Sequence, residues 1–222
     1  MRLGSLSLRR ATVLLGLAAL ATGVALLVYF LAGVSLRLSL LATLAIAAWA
    51  GWLVWHRLAP AGRIEIARRL RAGLLAGVLA LLGYDLSRLL YVRVTGSAFW
   101  PFETFRLFGQ LLAGPDASPA AILLTGTAYH GANGLSFAVA YTVLFGYRGW
   151  WAGLLWALML ESLMLTFYPA WLGLRSLSDF LVISLLGHTV YGLILGTVSR
   201  RLLLRPVRGA RLVESVRPAG DG

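Results

Sequence analysis

Six stretches of about twenty predominantly apolar residues run through the 222-residue chain, and each, as a helix, is long enough to cross the ~30 Å hydrocarbon core of a bilayer. They fall at residues 11–34, 36–55, 70–92, 120–145, 149–168 and 180–199. Lipid offers no hydrogen bonds, so a spanning segment must satisfy its own backbone, which favours helices for runs of this length. The expected fold is therefore all-α, a polytopic membrane helix bundle with six transmembrane helices. Composition agrees, since 59% apolar residues, 13% charged residues and a mean hydropathy of +0.82 lie well outside the range of a soluble domain.

The charge pattern sets the orientation. All twenty basic residues are arginine, against eight acids, for a net charge of +12. Fifteen arginines fall on one side of the six spans, in the groups 2–10, 57–71, 148 and 200–217, and four on the other, at Arg37, Arg93, Arg106 and Arg175. The positive-inside rule then places both termini in the cytoplasm. Trp49, Trp52 and Trp55 end the second run and Trp150 and Trp151 begin the fifth, as interfacial belts do. Because the arginines sit at the ends of apolar runs, they argue for membrane topology and against nucleic acid. Their partners are the lipid bilayer and, at the cytoplasmic ends, anionic lipid heads. Absence of lysine excludes retinal or pyridoxal Schiff-base chemistry, and absence of cysteine excludes disulfides, thiolate metal sites and iron–sulfur clusters.

Residues 1–62 form two peripheral transmembrane helices in this reading, and 63–205 a four-helix transmembrane core. The first run follows Arg9-Arg10 and contains Ala19-Leu20-Ala21, which resembles a signal-peptide cleavage site, but it is long for one and is read as an uncleaved helix. Between the third and fourth runs, residues 99–113 alternate apolar and polar positions too quickly for a span and read as interfacial or re-entrant. Residues 206–222 form a basic cytoplasmic tail. Helices in lipid approach closely only through small residues, and the core supplies them. Gly73 and Gly77 open the third run, Gly149, Gly153 and Ala157 line the fifth, and Ser184, His188, Gly192 and Gly196 line the sixth. A homodimer or larger membrane complex is compatible with this pattern.

Titratable groups inside a bilayer are costly and face a bundle interior, a cavity or one another. Four stand out: Asp85, His130, Glu161 and His188. At a rise of ~1.5 Å per residue, Asp85 lies about 21 Å above Arg71 and Glu161 about 18 Å above Gly149, while His130 and His188 lie about 15 and 14 Å below the outer ends of their runs. All four reach one layer just outside the midplane. Each also shares a face with the small residues of its helix, and Arg88 stands one turn beyond Asp85, within pairing distance. Asn133 and Tyr141 share the face of His130. The expectation is one polar site built from Asp85, Arg88, His130, Asn133, Glu161 and His188.

Gly73-Leu-Leu-Ala-Gly77, Tyr129-His130 followed by Phe137-Ala-Val-Ala-Tyr141, Trp151-Ala-Gly-Leu-Leu with Pro169, and Gly187-His188-Thr-Val-Tyr191 with Arg200-Arg201 together resemble the YagU-type bacterial inner-membrane proteins over about residues 63–205. The resemblance implies a multi-pass inner-membrane fold and no established activity.

Intramembrane acids and histidines commonly relay protons or bind cations, so the leading functional reading is proton- or ion-coupled transport, or a channel component. The alternatives are a membrane haem- or metal-binding redox protein and an accessory subunit without chemistry. Haem or a divalent metal would use His130 and His188, with Glu161 joining them as a metal ligand. No Gly-x-Ser-x-Gly elbow, His-Glu-x-x-His pair or phosphate-binding loop is present, which counts against a hydrolase or nucleotide enzyme.

Overall fold

In the structure, a computed structural model describing residues 6–97, 99–172 and 177–205, the described residues form eight helices and no strand. They are α1 (Leu8–Ala18), α2 (Ala21–Ala32), α3 (Leu36–Arg57), α4 (Pro60–Thr95), α5 (Glu103–Ala113), α6 (Pro119–Phe145), α7 (Trp150–Leu172) and α8 (Leu177–Leu204). Local signals set their ends. Ser7, Ser35 and Ser118 accept the third backbone N–H beyond them, and Pro60 and Pro119 occupy first-turn positions where no amide hydrogen is needed. Gly33 and Gly96 close α2 and α4 with φ of 67° and 68°, the left-handed conformation that glycine adopts without a Cβ clash.

Among the described residues, four helices are long and apolar enough to cross a membrane, within Leu36–Arg57, Pro60–Thr95, Trp150–Phe167 and Ser178–Leu204; α1 and α2 make a fifth if taken as one bent span. The run at 11–34 is thus not one straight helix: it bends by 49° between α1 and α2. The carbonyls there are drawn sideways, Ser136 Oγ donating to Ala19 O and Tyr129 Oη to Thr22 O at 3.1 Å, and insertion of side chains into the backbone ladder is a standard cause of a kink. Helix α6, 27 residues long and free of charged residues, falls short in hydropathy alone. Its polar groups are turned inward. His130 meets Asp85, Thr142 Oγ1 lies 2.8 Å from Ser199 Oγ, and Ser136 bonds to α1–α2. Segment 99–113 contains the 11-residue amphipathic α5, about 16 Å long and too short to span, lying against α6 with Phe105 and Phe108 inward.

The helices pack as an open arc. Helix α8 lies between α7 and α4, α4 between α8 and α6, and α6 against α5 on one side and α1–α2 on the other, with α3 outermost. The two ends of the arc, α2 and α7, face each other without packing along their lengths, and Phe30 stacks on Phe167 at 5.6 Å between them. Small residues set the contacts. Gly153 lies against the backbone of Gly192 and Gly196, and a Cβ on Gly192 would come 2.9 Å from Leu154 Cα. Gly77 is similarly filled by the Ala138 methyl group, 2.7 Å from where a Cβ would stand. The core between them combines Ala76, Ala80, Ala138 and Ala157 with Tyr84, Tyr141, Trp156 and Tyr191. Outside it, Leu38, Leu41, Ile46 and Trp49 on α3 are exposed, as a lipid-facing helix requires.

At the arginine-rich end, several residues counted for orientation are engaged within the protein. Glu65 pairs with Arg68 at 2.6 Å and Arg69 at 2.8 Å; Arg68 also donates to Leu203 O at the end of α8, and Arg69 to Val143 O near the end of α6. Cations at carbonyl-rich helix C-termini satisfy groups that have no partner within the helix.

Candidate functional site

Depth and facing, estimated from helical rise, placed four titratable groups in one layer. The structure brings them together as two pairs. His130 Nε2 lies 3.2 Å from Asp85 Oδ2, joining α6 to α4. His188 Nδ1 lies 2.7 Å from Glu161 Oε2, joining α8 to α7. The second pair is the better enclosed, with Glu161 2% exposed and His188 9%. Ser184, one turn before His188, donates its hydroxyl to the same Glu161 oxygen at 2.9 Å. Ser184 O also lies 3.0 Å from His188 Nδ1. Nδ1 thus has two oxygens within hydrogen-bond reach, Glu161 Oε2 and Ser184 O, and Nε2 is left on the far side of the ring.

Tyr84 stands between the pairs. Its ring lies 5.9 Å from the His130 ring and 5.1 Å, edge-on, from that of His188. The Arg88 guanidinium covers the Tyr84 ring at 4.6 Å, reaches Asp85 Oδ1 at 3.5 Å and donates to Pro101 O in the chain leading to α5. A buried guanidinium needs such partners, since an uncompensated charge at this depth is strongly unfavourable. Gly187, directly before His188, makes the arrangement possible, because a Cβ there would stand 2.8 Å from both the Arg88 and Tyr84 side chains. Both histidines, Tyr84, Arg88, Asn133 and Ser184 line one cavity of about 230 Å³ at the centre of the arc.

Three of these positions lay outside the site expected from sequence: Tyr84, Ser184 as a donor to Glu161, and the Pro101 carbonyl. Ser184 was legible only as part of a small-residue stripe. Tyr84 precedes Asp85 and has the i, i+4 relation to Arg88 that allows cation–π contact, the one local sign of its role. The Pro101 contact depends on how residues 99–102 fold back over α4 and leaves no trace in spacing.

Among the described residues, no group of three or more His, Cys, Asp and Glu side chains could hold a metal ion; of the candidate ligands, Glu161 and His188 form one pair and His130 stands in the other, with Asp85. A haem held by both imidazoles would need a flat space between them, where Tyr84 stands.

A family model described as a family of unknown function, DUF6789, matches residues 67–208. That region overlaps nearly all of the stretch that resembled YagU-type proteins, but the match gives no support to YagU specifically. No curated protein and no solved structure matches the chain.

Proposed function

The chain belongs to the DUF6789 family of unknown function, and we propose that it is a six-span inner-membrane protein, with both termini cytoplasmic, that moves protons through its paired intramembrane site as a coupled transporter or channel component. The observation that carries this reading is that the imidazoles of two acid–imidazole pairs, Asp85–His130 and Glu161–His188, line one cavity, each within 6 Å of the Tyr84 ring. An imidazole beside a carboxylate can exchange a proton at one nitrogen while taking another at the second, so net charge need not build up in the bilayer. At His188, a proton arrives at Nε2 from the cavity side and one leaves Nδ1 for Glu161 Oε2; Ser184 holds that oxygen in place. At His130 the exchange with Asp85 runs through Nε2, and Arg88 stabilises the Asp85 carboxylate. The polar part of the cavity, with His130, His188, Arg88 and Asn133, offers hydrogen-bonding groups for waters that connect the two pairs.

The purified chain in proteoliposomes with an internal pH dye tests this. A pH gradient should produce proton flux, and Glu161→Gln or His188→Ala should lower it about tenfold or more while the variants remain monodisperse. Flux no greater than in empty liposomes, or wild-type flux in both variants, would sink the proposal.

The six-span count takes α1 with α2 as one bent span and adds α6, whose polar side chains are met by its neighbours. Reporter fusions after Arg63, Gly149 and Arg205 should read cytoplasmic, and fusions near Pro115 and Arg175 should read the opposite side. Reversal at two of these five positions would end the six-span arrangement.

A further inference from the structure

We propose that the central cavity is a lateral binding site for a neutral single-chain lipid whose head carries a hydroxyl group, entering from the bilayer between α2 and α7. The cavity has two unlike parts. Its outer wall is apolar and formed by residues such as Val24, Leu27, Phe137, Met159 and Leu163. Its floor is polar, with Arg88, Asn133, His130 and His188. An apolar cavity of about 150 Å³ stays dry and binds benzene, so the apolar part of a cavity near 230 Å³ is a poor home for water and a good one for a hydrocarbon chain.

The opening follows from the open arc. Val24 on α2 and Met159 and Leu163 on α7 line the cavity and yet are 42%, 45% and 45% exposed, so the space reaches the surface between the two helices. Both helices lie within the membrane spans proposed above, and that surface therefore faces lipid. The ligand site rests on this membrane placement and is independent of whether the acid–histidine pairs move protons.

The floor selects the head group. Asp85 is met by Arg88 and His130, and Glu161 by His188 and Ser184, so both carboxylates have partners within the protein. An anionic head would stand beside two acids, and a cationic one beside Arg88. What the floor lacks is hydrogen bonds: of the buried atoms without a hydrogen-bond partner here, Asp85 Oδ1 and Glu161 Oε1 belong to residues behind the lining, whereas Arg88 Nε and Asn133 Oδ1, one a donor and one an acceptor, belong to residues that line the cavity. A hydroxyl accepts from Arg88 Nε and donates to Asn133 Oδ1, as buried polar groups require. Long-chain alcohols and monoacylglycerols share this chemistry.

Photo-crosslinking of the full chain in liposomes with a hexadecanol analogue bearing a diazirine in its chain tests the proposal. Adducts should concentrate on Val24, Met159 and Leu163, and excess hexadecanol or monoolein should compete them away. Loss of one hydrogen bond in Asn133→Leu should weaken labelling about fivefold. Leu163→Trp, at an exposed position that tolerates bulk, should block it. Adducts spread evenly over lipid-facing α3, insensitive to competitor, would overturn the site in the wild-type protein without reliance on any variant. Stronger competition by palmitate than by hexadecanol would overturn the neutral head. This readout involves no ion movement, so its failure is distinguishable from failure of proton flux.

Discussion

Gly192→Leu and Gly153→Leu are each expected to lower the melting temperature in detergent by about 10 °C or more, while Gly131→Leu leaves it unchanged or slightly raised. The three substitutions add the same atoms to the same type of backbone; the difference lies in what those atoms meet. At Gly192 an added Cβ would come 2.8 Å from the Ala157 methyl group and 2.9 Å from Leu154 Cα, and at Gly153 it would stand 2.7 Å from Gly196 Cα and N. Backbone cannot rotate aside, so α7 and α8 must separate along a contact built on that closeness, at a cost of about 3 kcal/mol or more. At Gly131 nothing lies within 4 Å of the added carbon, and leucine is the better helix former by several tenths of a kcal/mol. Gly16→Leu should fall between, because its obstacle is the Leu144 side chain, which can swing away. Equal losses at Gly131 and Gly192, measured by thermal unfolding with intrinsic tryptophan fluorescence, would show that the α7–α8 contact is not what holds the bundle.

The second large effect is expected at the enclosed pair. His188→Leu should destabilise the protein by about 3–5 kcal/mol, seen as a fall in melting temperature of ~10 °C near neutral pH. Glu161 is 2% exposed, and its Oε1 has no hydrogen-bond partner, so His188 and Ser184 are the groups that compensate its carboxylate at Oε2. Removing the imidazole leaves a buried charge with one hydroxyl. The double variant Glu161→Leu/His188→Leu should recover most of the loss, since it removes the charge together with its partner. A single variant as stable as the double would show that the Glu161 carboxyl does not depend on His188 for its compensation.

How far the site could be read in advance differs by residue. Asp85, His130, Glu161 and His188 were legible because depth along a helix follows from counting residues and because each shares a face with glycines, alanines or serines. Rise and angle per residue are properties of the backbone, so they carry over from sequence to structure. The division into pairs was not legible, since it depends on which helix neighbours which. That α4 meets α6 on one face and α8 on another, with Tyr84 turned into the space between, is set by side-chain volumes in three helices at once.

The same distinction holds for the whole fold. Long apolar runs without internal hydrogen-bonding partners from solvent can only be helices, and the sequence alone determined that, along with most helix ends through Ser7, Ser35, Pro60, Gly96 and Pro119. Hydropathy was less decisive for α6, because a helix covered by neighbours on several sides can hold polar residues that those neighbours satisfy. The 49° bend between α1 and α2, the return of residues 99–102 to Arg88 and the gap between α2 and α7 were decided only by tertiary structure. Each arises where a side chain of one helix takes a backbone group of another, or where two helices fail to find matching small faces, and such long-range matches have no period along the chain.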